Sequence, residues 1–145
     1  MTRYRFDISL HVRSADAQAG ETVSLAGRDV ETLALPAAAR GAAFAVSFEE
    51  AAAALAPLPR MFVEPDGSFV WTGEDQAGRW QVDGNLYDRA GRLLYVELAG
   101  DCPAAEFDRL LAPLGWPGTA VMFQLKRQGV WLDETAFRAW AAGCT

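Results

Sequence analysis

The chain has 145 residues, 51% hydrophobic and 22% charged, a composition that excludes a disordered or collagen-like polymer. Thirteen basic against nineteen acidic side chains leave a formal charge of −6, which repels phosphate backbones and predicts no nucleic-acid partner. At this size about two-thirds of the unfolded surface is hidden on folding, so a single α+β domain spanning residues 1–145 is expected without a metal or disulfide staple.

Met1-Thr2-Arg3-Tyr4 leads straight into an alternating pattern, with neither the apolar stretch nor the cleavage site of a secretory signal. The Ala-rich stretch from Ala37 to Leu55 is broken by Arg40, Glu49 and Glu50, short of the ~20 apolar residues a membrane span needs. No membrane partner and a cytoplasmic location follow as expectations. Cys102 and Cys144 fit no metal spacing and read as two reduced thiols. Neither a phosphate loop nor a dinucleotide fingerprint occurs, so no cofactor and no metal are expected.

Tyr4, Phe6, Ile8, Leu10 and Val12 alternate with Arg5, Asp7, Ser9, His11 and Arg13, the pattern of a half-buried strand. From Ser14 to Val46 the pattern weakens. Short strands over Thr22–Ala26 and Val30–Leu35, about a Gly27-Arg28-Asp29 turn, compete there with loop. Ser47-Phe48-Glu49-Glu50 reads as a capping box, and Phe48, Ala51, Ala52 and Leu55 form a helical stripe stopped by Pro57. Arg60–Glu64 and Ser68–Thr72 then flank Pro65-Asp66-Gly67, a hairpin signal.

The segment Arg79–Ala99 reads as a second hairpin with a three-residue loop, Arg89-Ala90-Gly91, in which Gly91 takes the left-handed position. Val82 then faces Leu98, Leu86 faces Leu94 and Asp83 faces Glu97. Slipping this register by one residue would push the apolar set into water. Phe107, Leu110, Leu111 and Leu114 follow Pro103 at helical spacing. Ala120–Lys126 and Val130–Leu132 form a last hairpin about Arg127-Gln128-Gly129. Asp133 then caps a final helix carrying Phe137, Trp140 and Ala141. The expected architecture is a mostly antiparallel sheet built from the first strand, a four-strand meander and the C-terminal hairpin, with about three helices on one face.

Three functional readings arise. The first is a non-enzymatic module that binds a protein partner or a second copy of itself, through the open sheet face or through Phe62, Phe69 and Trp71. In a two-residue-loop register those three aromatics share one side of the Asp-Gly hairpin. The second is a small ligand or cation held by Asp83, Asn85, Tyr95 and Glu97, with His11 as a further binding candidate, where Asn85 would pair with Tyr95 across the strands and opposed carboxylates invite neutralisation. The third is hydrolase-like chemistry on His11, the single histidine, beside Ser9 and Asp7. That row places the histidine at its end, and no nucleophile elbow occurs, so the balance leans away from an enzyme.

Overall fold

The computed structural model describes residues 2–37 and 42–144. Alternation of apolar and polar side chains builds β1 (Arg3–Val12), followed by β2 (Gln18–Leu25) and β3 (Arg28–Ala34). After helix α1 (Phe48–Leu55) comes the meander β4 (Met61–Val63), β5 (Ser68–Asp75), β6 (Gly78–Arg89) and β7 (Arg92–Pro103). Helix α2 (Ala104–Leu111), the hairpin β8 (Val121–Leu125) and β9 (Val130–Asp133), and helix α3 (Glu134–Gly143) complete the order. The strands form one sheet in the order β2-β3-β9-β8-β1-β7-β6-β5-β4, each pairing antiparallel.

The α+β reading and the antiparallel sheet stand, but among the described residues nine strands replace the seven of the sequence-based architecture. The extra two are β2 and β3, which pair at the β9 edge through Leu33 and Trp131. Residues 38–41 of the uncertain Ser14–Val46 segment lie outside the described residues.

Helix α1 begins where expected: the Ser47 hydroxyl accepts from the Glu50 amide, and the Glu50 carboxylate accepts from the Ser47 amide. The helices bury their stripes on one sheet face. Phe107 and Phe137 meet Tyr4 and Phe6, and the Phe123 and Phe137 rings stack at 4.1 Å. At the end of α3, Arg28 at the start of β3 donates to the carbonyls of Ala139 and Trp140 and covers the Trp140 ring at 4.4 Å. A cation there offsets the unpaired carbonyls of the helix terminus. Cys102 and Cys144 are both free thiols. Among the described residues no helix is long and apolar enough to cross a membrane.

Turn chemistry corrects three registers. Gly91 does adopt a positive φ of 82°, but Ala90 joins it at 52°, so the β6–β7 turn has two central residues and Arg89 pairs with Arg92. A bulge between Tyr87 and Asp88 then shifts the ladder. Val82 lies opposite Gly100 rather than Leu98, Asp83 opposite Ala99 rather than Glu97, and Leu86 opposite Val96 rather than Leu94. The bulge also buries Leu93 in place of Leu94. The displacement elsewhere amounts to two residues, which preserves the side each residue faces, so Trp80, Val82, Leu86, Val96 and Leu98 are all in the core.

In the Asp-Gly hairpin the loop has three residues, Pro65 to Gly67, because the Glu64 amide donates to the Ser68 carbonyl at 2.8 Å, and Phe62 lies opposite Val70 instead of Trp71. This odd-numbered slip separates the three aromatics. Phe69 and Trp71 are buried in the core, at 2% and 1% exposure, while Phe62 stands 75% exposed on the other face. The expectation that Phe69 and Trp71 belong to a contact surface is therefore overturned. The last hairpin likewise turns through Lys126 as well as Arg127, Gln128 and Gly129, with Leu125 opposite Val130.

Candidate functional site

Residues directly opposite one another on neighbouring strands share a face. On the face away from the helices, one row runs Phe62, Val70, Asp83, Ala99 and Asp7 across β4, β5, β6, β7 and β1. The next row runs Ser68, Asn85, Glu97, Ser9, Gln124 and Trp131. The two halves of this face differ. Towards β3 it closes over a small apolar cluster of Leu33, Met122 and Trp131, flanked by Ala17 and Leu35. Towards β4 it opens, and Phe62 and Val70, at 75% and 41% exposure, are the large hydrophobics most exposed among the described residues.

His11 lies at the boundary. Its ring stacks on Tyr95 at 5.3 Å and meets Trp131 edge-on at 4.7 Å, and Tyr95 in turn stacks on Tyr87 at 4.5 Å. The Nε2 atom lies 2.8 Å from the Ser9 hydroxyl. Distance alone suits a serine–histidine pair, but Ser9 is only 5% exposed and its hydroxyl also reaches Gln124. A nucleophile must meet substrate; this hydroxyl is enclosed by its own sheet. The other candidate nucleophile, Cys102, is buried, and that burial pushes its thiol up to about 12, far from the thiolate that reacts.

The five polar candidates do not converge as expected. Asp83 and Glu97 are not opposed: Asn85 faces Glu97, and Tyr95 faces Tyr87 rather than Asn85. They come near each other diagonally, as walls of a shallow depression of about 220 Å³ lined also by Asp7, Asn85 and Lys126. Asp83 accepts from the Gln81 amide at 2.8 Å. Glu97 is held from both sides, by the Lys126 ammonium at 2.5 Å and by the Tyr87 hydroxyl, which donates to it. Among the described residues no group of three or more His, Cys, Asp or Glu side chains is arranged to hold a metal ion. Lys126 and Asp7 were missed in the sequence reading because their nearness to Glu97 depends on β8 and β7 flanking β1 on opposite sides.

Lys126 first, then Tyr87, holds the Glu97 carboxyl below its ordinary value of 4.5, while Glu97 raises both Tyr87 and Lys126 above theirs of 10.0 and 10.5. The signs give two pH limits. Glu97 contributes stability above its unfolded value that is lost as pH falls through the folded one; Tyr87 and Lys126 contribute stability lost as pH rises through theirs. In Lys126→Met, Glu97 is expected to titrate closer to its ordinary value. Carboxyl ¹³C shifts followed against pH will measure this, and an unchanged midpoint would contradict the ammonium's role.

A second, larger depression of about 490 Å³ lies on the same face beyond Asp83, lined by Arg60, Thr72, Glu74, Arg79, Trp80, Gln81 and Asp101. Here Arg60 Nε donates to the Thr72 carbonyl at 3.1 Å, and Arg3 both pairs with Asp101 at 3.0 Å and donates to the Arg79 carbonyl.

No protein-family model matches the chain. Comparison with curated proteins gives no significant match, and comparison with solved structures gives none.

Proposed function

We propose that the chain is a non-enzymatic binding module whose helix-free sheet face, along β4 to β7, docks a protein segment that carries an apolar side chain beside a basic one. The observation that carries this reading is the row Phe62–Val70–Asp83. Two exposed apolar side chains lie directly opposite each other, and an exposed carboxylate is the next member of the row. Asp7, Asp83 and Glu97 against Lys126 leave the adjoining depression negative, as is the chain, at −6. Complementary charge steers and orients a basic partner, whereas two copies of an acidic face repel, which disfavours self-association. Aromatic side chains such as Phe62 commonly supply the anchoring contacts of an interface.

The small-ligand reading has less support, because a depression of about 220 Å³ falls below the ~300–1,000 Å³ usual for such sites. Burial of Ser9 weighs against the His11 hydrolase reading. Two free thiols fit a reducing compartment such as the cytoplasm.

The test is selection from a phage-displayed library of random peptides, followed by affinity measurement on the wild type and on a Phe62→Ser/Asp83→Lys variant. Both side chains are exposed, so the variant should fold. The expected result is enrichment of peptides that pair an aliphatic or aromatic residue with Lys or Arg, and a loss of about tenfold or more in the variant. Peptides that bind both proteins equally, or that are acidic, overturn the proposal. A concentration-dependent dimer abolished by Phe62→Ser would replace the partner with a second copy.

A further inference from the structure

We infer that the partner segment joins the sheet as an added strand on the free edge of β4, antiparallel to it, with its apolar residue opposite Phe62 and its basic residue opposite Glu64. This deepens the docking reading above and rests on it. β4 ends the strand order, and its three residues, Met61, Phe62 and Val63, are all apolar and none is buried. Phe62 stands open on the helix-free face, while Met61 and Val63 are half-buried against the core on the other. The strand is therefore short of apolar cover on both faces at once, and a further strand alongside it would supply that cover. The opposite edge lacks this demand. β2 reads Gln-Ala-Gly-Glu-Thr-Val-Ser-Leu and is broken by a bulge between Ala19 and Thr22, a device that blunts an edge against pairing.

The ladder phase shows what β4 offers. The Glu64 amide donates to the Ser68 carbonyl at 2.8 Å, and the Thr72 amide to the Arg60 carbonyl at 3.4 Å. Hydrogen-bonded pairs alternate along antiparallel strands, so Phe62 and Val70 form the bonded pair between those two. Met61 and Val63 therefore aim their backbone groups away from β5. The Met61 amide is already given to the Leu58 carbonyl at 3.1 Å, and the next outward position is Pro65, which has no N–H. One outward donor remains along β4, the Val63 N–H, beside the Val63 and Met61 carbonyls. A single donor fixes the register: one partner residue exchanges both bonds with Val63, and the residue two places on donates to the Met61 carbonyl. A second copy fits less well, since pairing β4 with itself about Phe62 calls on the Met61 amide of both copies.

That register places the side chains. In antiparallel pairing the partner residue after the one bonded to Val63 lies opposite Phe62, where it continues the row Phe62–Val70 outward. The partner residue before the bonded one lies opposite Glu64, an exposed carboxylate two residues from Phe62 and on its face. Apolar and opposite-charge pairs across strands both stabilise such an edge. The recognised pattern is thus a basic residue two places before an apolar one, with main-chain bonds giving affinity and alternate side chains giving specificity.

The probe is the peptide acetyl-Thr-Lys-Thr-Phe-Thr-Thr-amide, titrated into the full-length protein while the Val63 ¹H–¹⁵N resonance and its exchange with solvent are followed. Saturable shifts and slowed exchange of the Val63 amide are expected. A peptide with lysine and phenylalanine interchanged should bind several-fold more weakly. N-methylation of the threonine between them removes the bond to the Val63 carbonyl and should cost about tenfold or more in affinity. N-methylation of the phenylalanine, whose N–H points away from β4, should be tolerated. No saturable binding, an unchanged Val63 exchange rate at saturation, or equal affinity of the two methylated peptides overturns the inference. Library peptides that need Phe62 and Asp83 but leave Val63 exchanging freely remove strand addition alone. A peptide that protects Val63 equally well in Phe62→Ser/Asp83→Lys removes the docking reading and leaves the strand pairing.

Discussion

Trp71→Ala is expected to lower stability by about 3–5 kcal/mol, the cost of truncating a large buried aromatic. The indole is 1% exposed, meets Trp80 edge-on at 4.8 Å, and donates its N–H to the Pro59 carbonyl at 3.0 Å. Truncation leaves a void that the surrounding sheet and helix cannot close, and it orphans an acceptor. A typical domain is stable by only about 5–15 kcal/mol, so the variant should unfold at a much lower urea concentration. Trp71→Phe, which keeps a ring and loses the N–H, should lose clearly less. Sedimentation distinguishes this from a contact role: folded Trp71→Ala should have the same mass as the wild type. A midpoint within about 1 kcal/mol of wild type, or a change in oligomeric mass, would place Trp71 at a surface after all.

The same residue marks the limit of what the sequence discloses. Alternation in Tyr4–Val12 identified β1 and its buried side because the period of two is a property of the strand alone. The Ser47 and Asp133 caps were legible for the same reason, since each bond spans three residues. Turn geometry was less accessible. Ala90 adopts the left-handed conformation that a sequence reading reserves for glycine, and that single dihedral converts a three-residue loop into a two-residue one. Where the resulting slip was even, as at Val82, the buried face survived while the opposed pairs dissolved. Where it was odd, as at Phe62, a residue changed sides. Asp83, Glu97 and the Tyr87–Tyr95 stack were therefore assigned to the correct face with the wrong neighbours.

Gly100→Ala should be comparably damaging, at about 2–5 kcal/mol from backbone strain and overpacking together. Gly100 has φ of 134°, and an added Cβ would lie 2.1 Å from the Gln81 carbonyl oxygen and 3.2 Å from the Val82 Cα. Both obstacles are backbone, so no rotamer change relieves them. Nor can the strand step aside, because Gly100 is flanked by Phe6 of β1 and Val82 of β6 in a sheet hydrogen-bonded on both sides. Gly78→Ala provides the contrast. It has a similar φ of 115° but nothing within 4 Å of an added Cβ, so it carries the dihedral strain without the collision. The difference between their urea-unfolding free energies isolates the close approach of β6 and β7, and equal losses would show that the approach has no weight.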